Sequence, residues 1–575
     1  MNPTLKAKIG QMFMVGFEGG TPTDNILRLI REYQVGGIIL FSRNIQSPVQ
    51  LRDLIHQLQA QACQTDLGLP LLVAIDQEGG IVTRLTRGFT IFPGNMALGA
   101  AGSEELAGQA AEVMAREMKA VGIHMNLAPV LDINTRLDNP GIGVRAYGDN
   151  PQLVARMGVA MIKAYQQHGI IATAKHFPGK GDAGIDAHLD LPSIFHSRER
   201  LEKVELYPFV AALRAGVKAI MTSHVYFPGL EEPHASLSIS TQIAAPEPIG
   251  SSPPHPLIPP LPSWERGTGG KGKRLSSPLP ATLSRAITEM LLRKKLGFQG
   301  VVITDDLEMG AILRYFDLKE AVVRAVEAGA DLLLICRDYQ RQLEGLQGLY
   351  RAVEEGRVGE ERISASFQRL LSLKQAFCGK RGEGEGRGET PPWMDQVGTA
   401  ENRRVAYEVA RRAITLVRNR RGLIPLNTSQ YHRPGVLYPK VFTLTQVEEG
   451  PEPVTLFSEF RQRYPQAVGF EFDTEPSPDQ IQQACAVGRE ADFILIGSYN
   501  GHLKSKQKQL IQELIALQKP IVLMALRNPY DIGEFPEIET CLALYDYHRA
   551  SIVAGIQVLM GDIQAVGRLP VTLNP

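Results

Sequence analysis

The chain has 575 residues, which at ~150 residues per domain leaves room for about four domains. Lys plus Arg and Asp plus Glu both total 61, so the formal net charge is zero and no global basic field exists to attract nucleic acid. Apolar residues make up 44%, the level of a globular protein, and the cysteines (Cys63, Cys336, Cys378, Cys485, Cys541) form no CxxC pair that would mark a disulfide framework or zinc site. The opening residues lack the long apolar core of a secretory signal, and no run approaches ~18 apolar residues. A cytoplasmic protein with no membrane span is expected.

Taken in order, short apolar runs start at Met12 (MFMVGF), Gly36 (GGIILF), Leu71 (LLVAID), His124 (HMNLAPVLDI), Ile170 (IIATAKH), Ala219 (AIMTSH), Val301 (VVITDD) and Asp331 (DLLLIC). Amphipathic stretches such as EELAGQAAEVMAREMKAVG, LEKVELYPFVAALRAG and LKEAVVRAVEAGA lie between them and predict helices. Alternating strands and helices imply a parallel sheet, and eight repeats predict a closed (β/α)₈ TIM barrel over residues 1–378. Residues 241–282 are proline-rich and predict an insertion after strand six, bracketed by the similar HASLS and PATLS. A glycine- and charge-rich linker is expected at 379–398. Residues 399–575 predict a second unit, an α/β sandwich of doubly wound type. It has no GxGxxG, and no cluster of acids and histidines stands out at its strand ends.

Polar residues gather at the ends of the barrel strands: Asp76, Asp132, Lys175 with His176, His224, and Asp305 with Asp306. In a barrel these ends meet at one mouth, which predicts a mixed-charge pocket. In AKHFPGKGDAGIDAHLDLP, Asp186 and His188 stand two apart and share a side of an extended segment. A carboxylate beside an imidazole favours the protonated ring and equips a general acid, although the same pattern serves a metal pair or a loop hydrogen bond. Asp305 and Asp306 should point to opposite faces, with one entering the pocket as a nucleophile and Asp306 better suited to capping the next helix. In AIDQEGGIVTRL, Asp76 and Arg84 suit sugar hydroxyls or a structural ion pair. Arg145 follows strand four in a glycine-rich loop, and Lys175 and His176 add donors.

Together DQEGG-x-V-x-R, APVLDIN, IG-x-RAYG, KHFPG-x-GD-x-x-x-D-x-H-x-x-LP and VVITDDLEM resemble glycoside hydrolase family 3, in its β-N-acetylhexosaminidase branch. The resemblance runs over residues 5–376, and ALRNPYDIGEFPEIETCLALYDYH and GRLPVTL resemble the family's second domain. It implies Asp305 as nucleophile and His188 as acid/base, with Asp186 orienting it. It further implies Asp76, Arg84, Arg145, Lys175, His176 and His224 around the sugar, with no cofactor and no metal. The implied reaction is retaining exo-hydrolysis of terminal β-linked N-acetylglucosamine, from peptidoglycan fragments or chito-oligosaccharides. The chain departs from the pattern at Lys180, where a histidine or similar residue is expected, and at Ala187. A phosphorolytic glycosidase and a β-glucosidase are alternatives within the family. A metal-dependent barrel hydrolase using His176, His188, His224 and Asp305, and a non-catalytic sugar-binding protein, are alternatives outside it.

Overall fold

The computed structural model describes residues 3–231, 278–378, 393–441 and 454–573. Each apolar run of the first half supplies one strand of a closed parallel barrel. The strands are β1 (Phe13–Val15), β2 (Gly37–Leu40), β3 (Leu72–Ile75), β4 (Met125–Asn126), β5 (Ile171–Phe177), β6 (Ala219–Thr222), β7 (Val301–Asp306) and β8 (Leu332–Ile335). They pair in chain order, and β8 closes on β1 with Phe13 opposite Leu333. A parallel strand covered on both faces needs an unbroken apolar run, and β2, β3 and β8 are buried at every position.

The long run HMNLAPVLDI yields only the two residues of β4, because Pro129 has no N–H to give the ladder. Contact with β5 continues through carbonyls, as Ala128 and Pro129 accept from the Thr173 and Lys175 N–H groups, and the Leu131 N–H then donates to the Lys175 carbonyl at 2.6 Å. The expected helix LEKVELYPFVAALRAG is two helices, Arg198–Lys203 and Tyr207–Arg214. Pro208, tolerated in the first turn of the second, could not sit inside one continuous helix.

The second unit is a six-stranded sheet of β9 (Thr415–Asn419), β10 (Pro434–Pro439), β11 (Val468–Phe472), β12 (Phe493–Ser498), β13 (Ile521–Ala525) and β14 (Thr540–Ala543). Its order is β9-β14-β13-β12-β10-β11, parallel except for the β9–β14 edge. The helix Ala400–Ala413 ties the units together: Ala406 and Val409 join the barrel's apolar core, while Ala410 and Ala413 join that of the sheet. The closing segment returns to the barrel, where the Arg568 N–H donates to Ala100 and the Asp149 N–H to Pro570.

Two expected segments narrow. Of the connection at 379–398, residues 379–392 lie outside the described residues, while 393–398 pack on the barrel. Trp393 is buried there under the Arg52 guanidinium, 4.8 Å from the ring centre, and the Gly398 N–H donates to Glu117 at 2.9 Å. Of the proline-rich stretch at 241–282, residues up to 277 lie outside the described residues. Residues 278–282 are integral to the barrel mouth: the Ala281 N–H donates to Val225, and the buried Thr282 hydroxyl reaches His224.

Candidate active site

A pocket of about 300 Å³ opens at the C-terminal ends of the barrel strands. Asp76, Arg84, Arg145, Lys175, His176, His188 and Asp305 all line it, although they come from four strands and their loops. A larger cleft of about 730 Å³ lies at the opposite end of the barrel, between Lys218, Gly300 and Phe377. It joins no nucleophile to an acid, so the smaller pocket carries the chemistry.

His188 stands on the loop after β5. Its Nδ1 is 2.8 Å from Asp186 Oδ1, and its own backbone N–H donates to the same oxygen at 3.0 Å. The Asp186 carboxyl is held at about 2: burial alone would raise it, and the bonds from His188 outweigh burial. Asp186 itself lies behind the ring and does not line the pocket. The loop is tied to the helix that follows β7. The Gly310 and Ala311 N–H groups donate to the carbonyls of His188 (3.2 Å) and Ala187 (3.0 Å), and the Tyr315 hydroxyl bonds Asp190 at 2.6 Å. A side chain at Gly310 would place its Cβ 2.5 Å from the His188 carbonyl, which explains glycine there.

Asp305 and Asp306 both line the pocket, contrary to the expected alternation. The cause is a register shift: Leu332 and Leu334 of β8 pair with Ile303 and Asp306, so β7 carries one extra residue at its end. Asp306 also does not cap the following helix, whose N-cap is Met309; its carboxylate instead accepts from the Glu308 and Cys336 N–H groups. Burial, then the nearby carboxylate of Glu308, pushes Asp306 up to about 7. Asp305 goes the other way. Burial opposes its charge, but Lys180, His224 and His188 together hold its carboxyl below the ordinary range. Asp305 is therefore the ionised member of the pair. His224, expected at the sugar, supports this strand instead. Its Nε2 donates to the Asp306 carbonyl at 2.9 Å and its Nδ1 meets the Thr282 hydroxyl at 2.8 Å, so neither ring nitrogen is left for a ligand.

The remaining donors form one ion network around Glu78, which is not among the residues expected from the sequence. Lys175 Nζ lies 2.6 Å from both Asp76 and Glu78, and Arg145 clasps Glu78 through Nε at 2.9 Å and Nη2 at 2.8 Å. Burial would raise Glu78, but Arg145 and Lys175 hold it at about 2. Arg84 adds a longer contact to Asp76, 3.9 Å. Asp76 and Glu78 are two apart on an extended segment, the same spacing that singled out Asp186 and His188. Asp132 is fully buried and organises the β5 loop by accepting from His176 Nδ1 (2.7 Å) and the Lys180 N–H (2.7 Å). Burial, then Lys180, drives the His176 pKa well down, so its ring is neutral with Nε2 unprotonated.

The second unit backs the pocket wall without lining it. Val82, on the hairpin after β3, lines the pocket and also packs in the second apolar core. The strand ends of that unit do carry an acid–histidine set, contrary to expectation: His502 with Asp531 and His548 with Asp546, each at 2.7 Å. Both pairs face the barrel: His502 Nε2 reaches the Leu137 carbonyl at 3.2 Å, and Asp546 lies against Gly80, where a built Cβ would stand 3.9 Å from its Oδ1. They build the seam between the units.

Among the described residues, no three His, Cys, Asp or Glu side chains converge as a metal site, and no helix is long and apolar enough to cross a membrane. A (β/α)₈ mouth that joins an ionised carboxylate, an Asp–His pair and paired acids and bases defines a barrel glycosidase. The model of the "Glycosyl hydrolase family 3 N terminal domain" matches residues 4–242 and 262–373. This chain belongs to glycosyl hydrolase family 3. The β-hexosaminidase A of Pseudoalteromonas piscicida is 30% identical over 95% of this chain and 90% of its own length. Among solved structures, a family 3 β-N-acetylglucosaminidase from Paenibacillus sp. FPU-7 is 38% identical, covers 99% of both chains and superposes with a TM-score of 0.86. A fungal multi-domain family 3 β-N-acetylglucosaminidase is 32% identical with a TM-score of 0.83, over 99% of this chain and 61% of that one. Residues 243–261, inside the proline-rich stretch, fall outside the family match.

Proposed function

We propose that the protein is a retaining exo-β-N-acetylglucosaminidase that removes terminal β-linked N-acetylglucosamine from peptidoglycan fragments or chito-oligosaccharides. The observation that carries this reading is the shared pocket of Asp305 and His188, one held ionised and the other held by Asp186. The Asp305 carboxylate attacks the anomeric carbon while His188 gives the Nε2 proton to the departing oxygen, leaving a glycosyl ester on Asp305. The now neutral imidazole takes a proton from water as that water attacks the same carbon, which frees Asp305 and restores the imidazolium. Asp186 fixes Nδ1–H and stabilises the positive ring in both half-reactions. Asp76, Lys175, Glu78 and Arg145 pair donors with acceptors, the combination that hydroxyls need.

The test is turnover of nitrophenyl β-N-acetylglucosaminide and nitrophenyl β-glucoside, each with and without phosphate. The expected result is preference for the N-acetylglucosaminide without dependence on phosphate. Asp305→Ala should abolish turnover, and His188→Ala should cost least with the good nitrophenolate leaving group. Preference for the glucoside, a need for phosphate, or full activity of Asp305→Ala would each overturn the assignment.

A further inference from the structure

Lys180 differs from every other buried cation of the pocket. It lines the cavity and is 8% exposed. Its backbone is fixed on both sides: the N–H donates to Asp132 Oδ1 at 2.7 Å, and the carbonyl accepts from Asn139 Nδ2 at 3.0 Å. Lys175 and Arg145 spend their donors on Asp76 and Glu78 at 2.6 to 2.9 Å. By contrast, among the described residues the Lys180 ammonium makes no hydrogen bond and has no carboxylate within 4.0 Å. An ammonium open to the pocket with unfilled donors is available to an acceptor on a ligand.

The chemistry of the missing acceptor follows from the neighbours. A sugar hydroxyl both donates and accepts, so it fits where cations and carboxylates alternate, as at Asp76, Lys175 and Glu78. An acyl oxygen only accepts, and it fits a donor with no acid against it. Lys180 lines the same pocket as the nucleophile Asp305 and is the leading positive influence on it, so it faces the part of the pocket that holds the reacting sugar. We propose that Lys180 is a substrate ligand that donates to the acyl oxygen of the sugar's 2-acetamido group, and that it sets the preference for 2-acetamido over 2-hydroxy sugars. This rests on the N-acetylglucosaminidase reading and names the contact that enforces it.

The test compares the unaltered protein with Lys180→Met and Lys180→Arg on nitrophenyl β-N-acetylglucosaminide and nitrophenyl β-glucoside. A charge-assisted hydrogen bond predicts a loss of about ten- to a hundred-fold in kcat/KM for the acetamido substrate in the Met variant, with the glucoside changed only a few-fold. The Arg variant should recover part of that preference. Equal losses on both substrates would mean that Lys180 acts through Asp305 alone and would overturn the proposal, as would no loss. A second measurement needs no variant: binding of N-acetylglucosamine, glucose and protonated glucosamine to the unaltered protein, by calorimetry. The order expected is N-acetylglucosamine, then glucose, then glucosamine, because Lys180 repels a 2-ammonium group. Glucosamine binding as well as N-acetylglucosamine overturns the proposal. Turnover of neither substrate by the unaltered protein, with the binding order intact, would instead overturn the catalytic reading and leave the Lys180 contact standing.

Discussion

Replacing Glu78 with glutamine keeps the shape of the side chain and removes one charge from the centre of the pocket network. Lys175 and Arg145, both buried, then lose the negative charge that lies 2.6 to 2.9 Å from them, and one of its two acceptor oxygens becomes a donor. The native carboxyl is held at about 2, against 4.5 for an unperturbed glutamate. At about 1.4 kcal/mol per pKa unit, this shift is worth about 3 kcal/mol of stability at neutral pH. Breaking a buried ion pair from one side costs a similar ~3–5 kcal/mol. A folded-state pKa below the unfolded value gives stability that is complete above pH 4.5 and is lost as the pH falls through about 2. Urea unfolding of the native protein and Glu78→Gln at pH 7, 5, 4 and 3 measures this directly. The gap should be about 3 kcal/mol at pH 7 and 5 and should narrow below that. A gap under about 1 kcal/mol at pH 7, or one that stays constant between pH 5 and 3, would refute the reasoning.

Three further outcomes follow from the geometry. Gly310→Ala drives a Cβ into the His188 carbonyl, so kcat should fall by about tenfold or more with little change in KM, and hydrogen exchange over 186–191 should rise. Tyr315→Phe removes the 2.6 Å bond to Asp190 and should increase exchange in the same loop with a smaller loss of kcat; exchange at the native level would show that Tyr315 is no anchor. Asp306→Asn keeps the Oδ1 acceptor for Glu308 and Cys336 but removes an acid whose folded pKa is raised to about 7. Ionisation of Asp306 destabilises the fold as pH rises from about 4 to 7, so the variant's Tm advantage should be largest at pH 8 and shrink toward pH 4. A pH-independent Tm difference would contradict the assignment.

The sequence by itself determined the barrel, because eight apolar runs alternating with amphipathic helices have one low-cost way to bury both faces of a parallel sheet. It also marked Asp186 with His188 and Asp305, since local spacing and strand ends are properties of the chain. Local spacing could equally have revealed Glu78, two residues beyond Asp76. Three features depended on through-space neighbours. The extra residue in β7 that brings both Asp305 and Asp306 to the pocket exists only against β8. The removal of His224 from the ligand side follows from Thr282, which returns to the mouth 58 residues later. The Asp–His pairs of the second unit are read correctly only once the seam with the barrel is seen. Lys180 shows the division most sharply: its identity is written in the chain, but that it lines the same pocket as Asp305 with no salt-bridge partner is decided by the fold. Hydrophobic pattern fixes the path of the backbone, whereas the charge state and partner of each polar group depend on neighbours that only folding brings together.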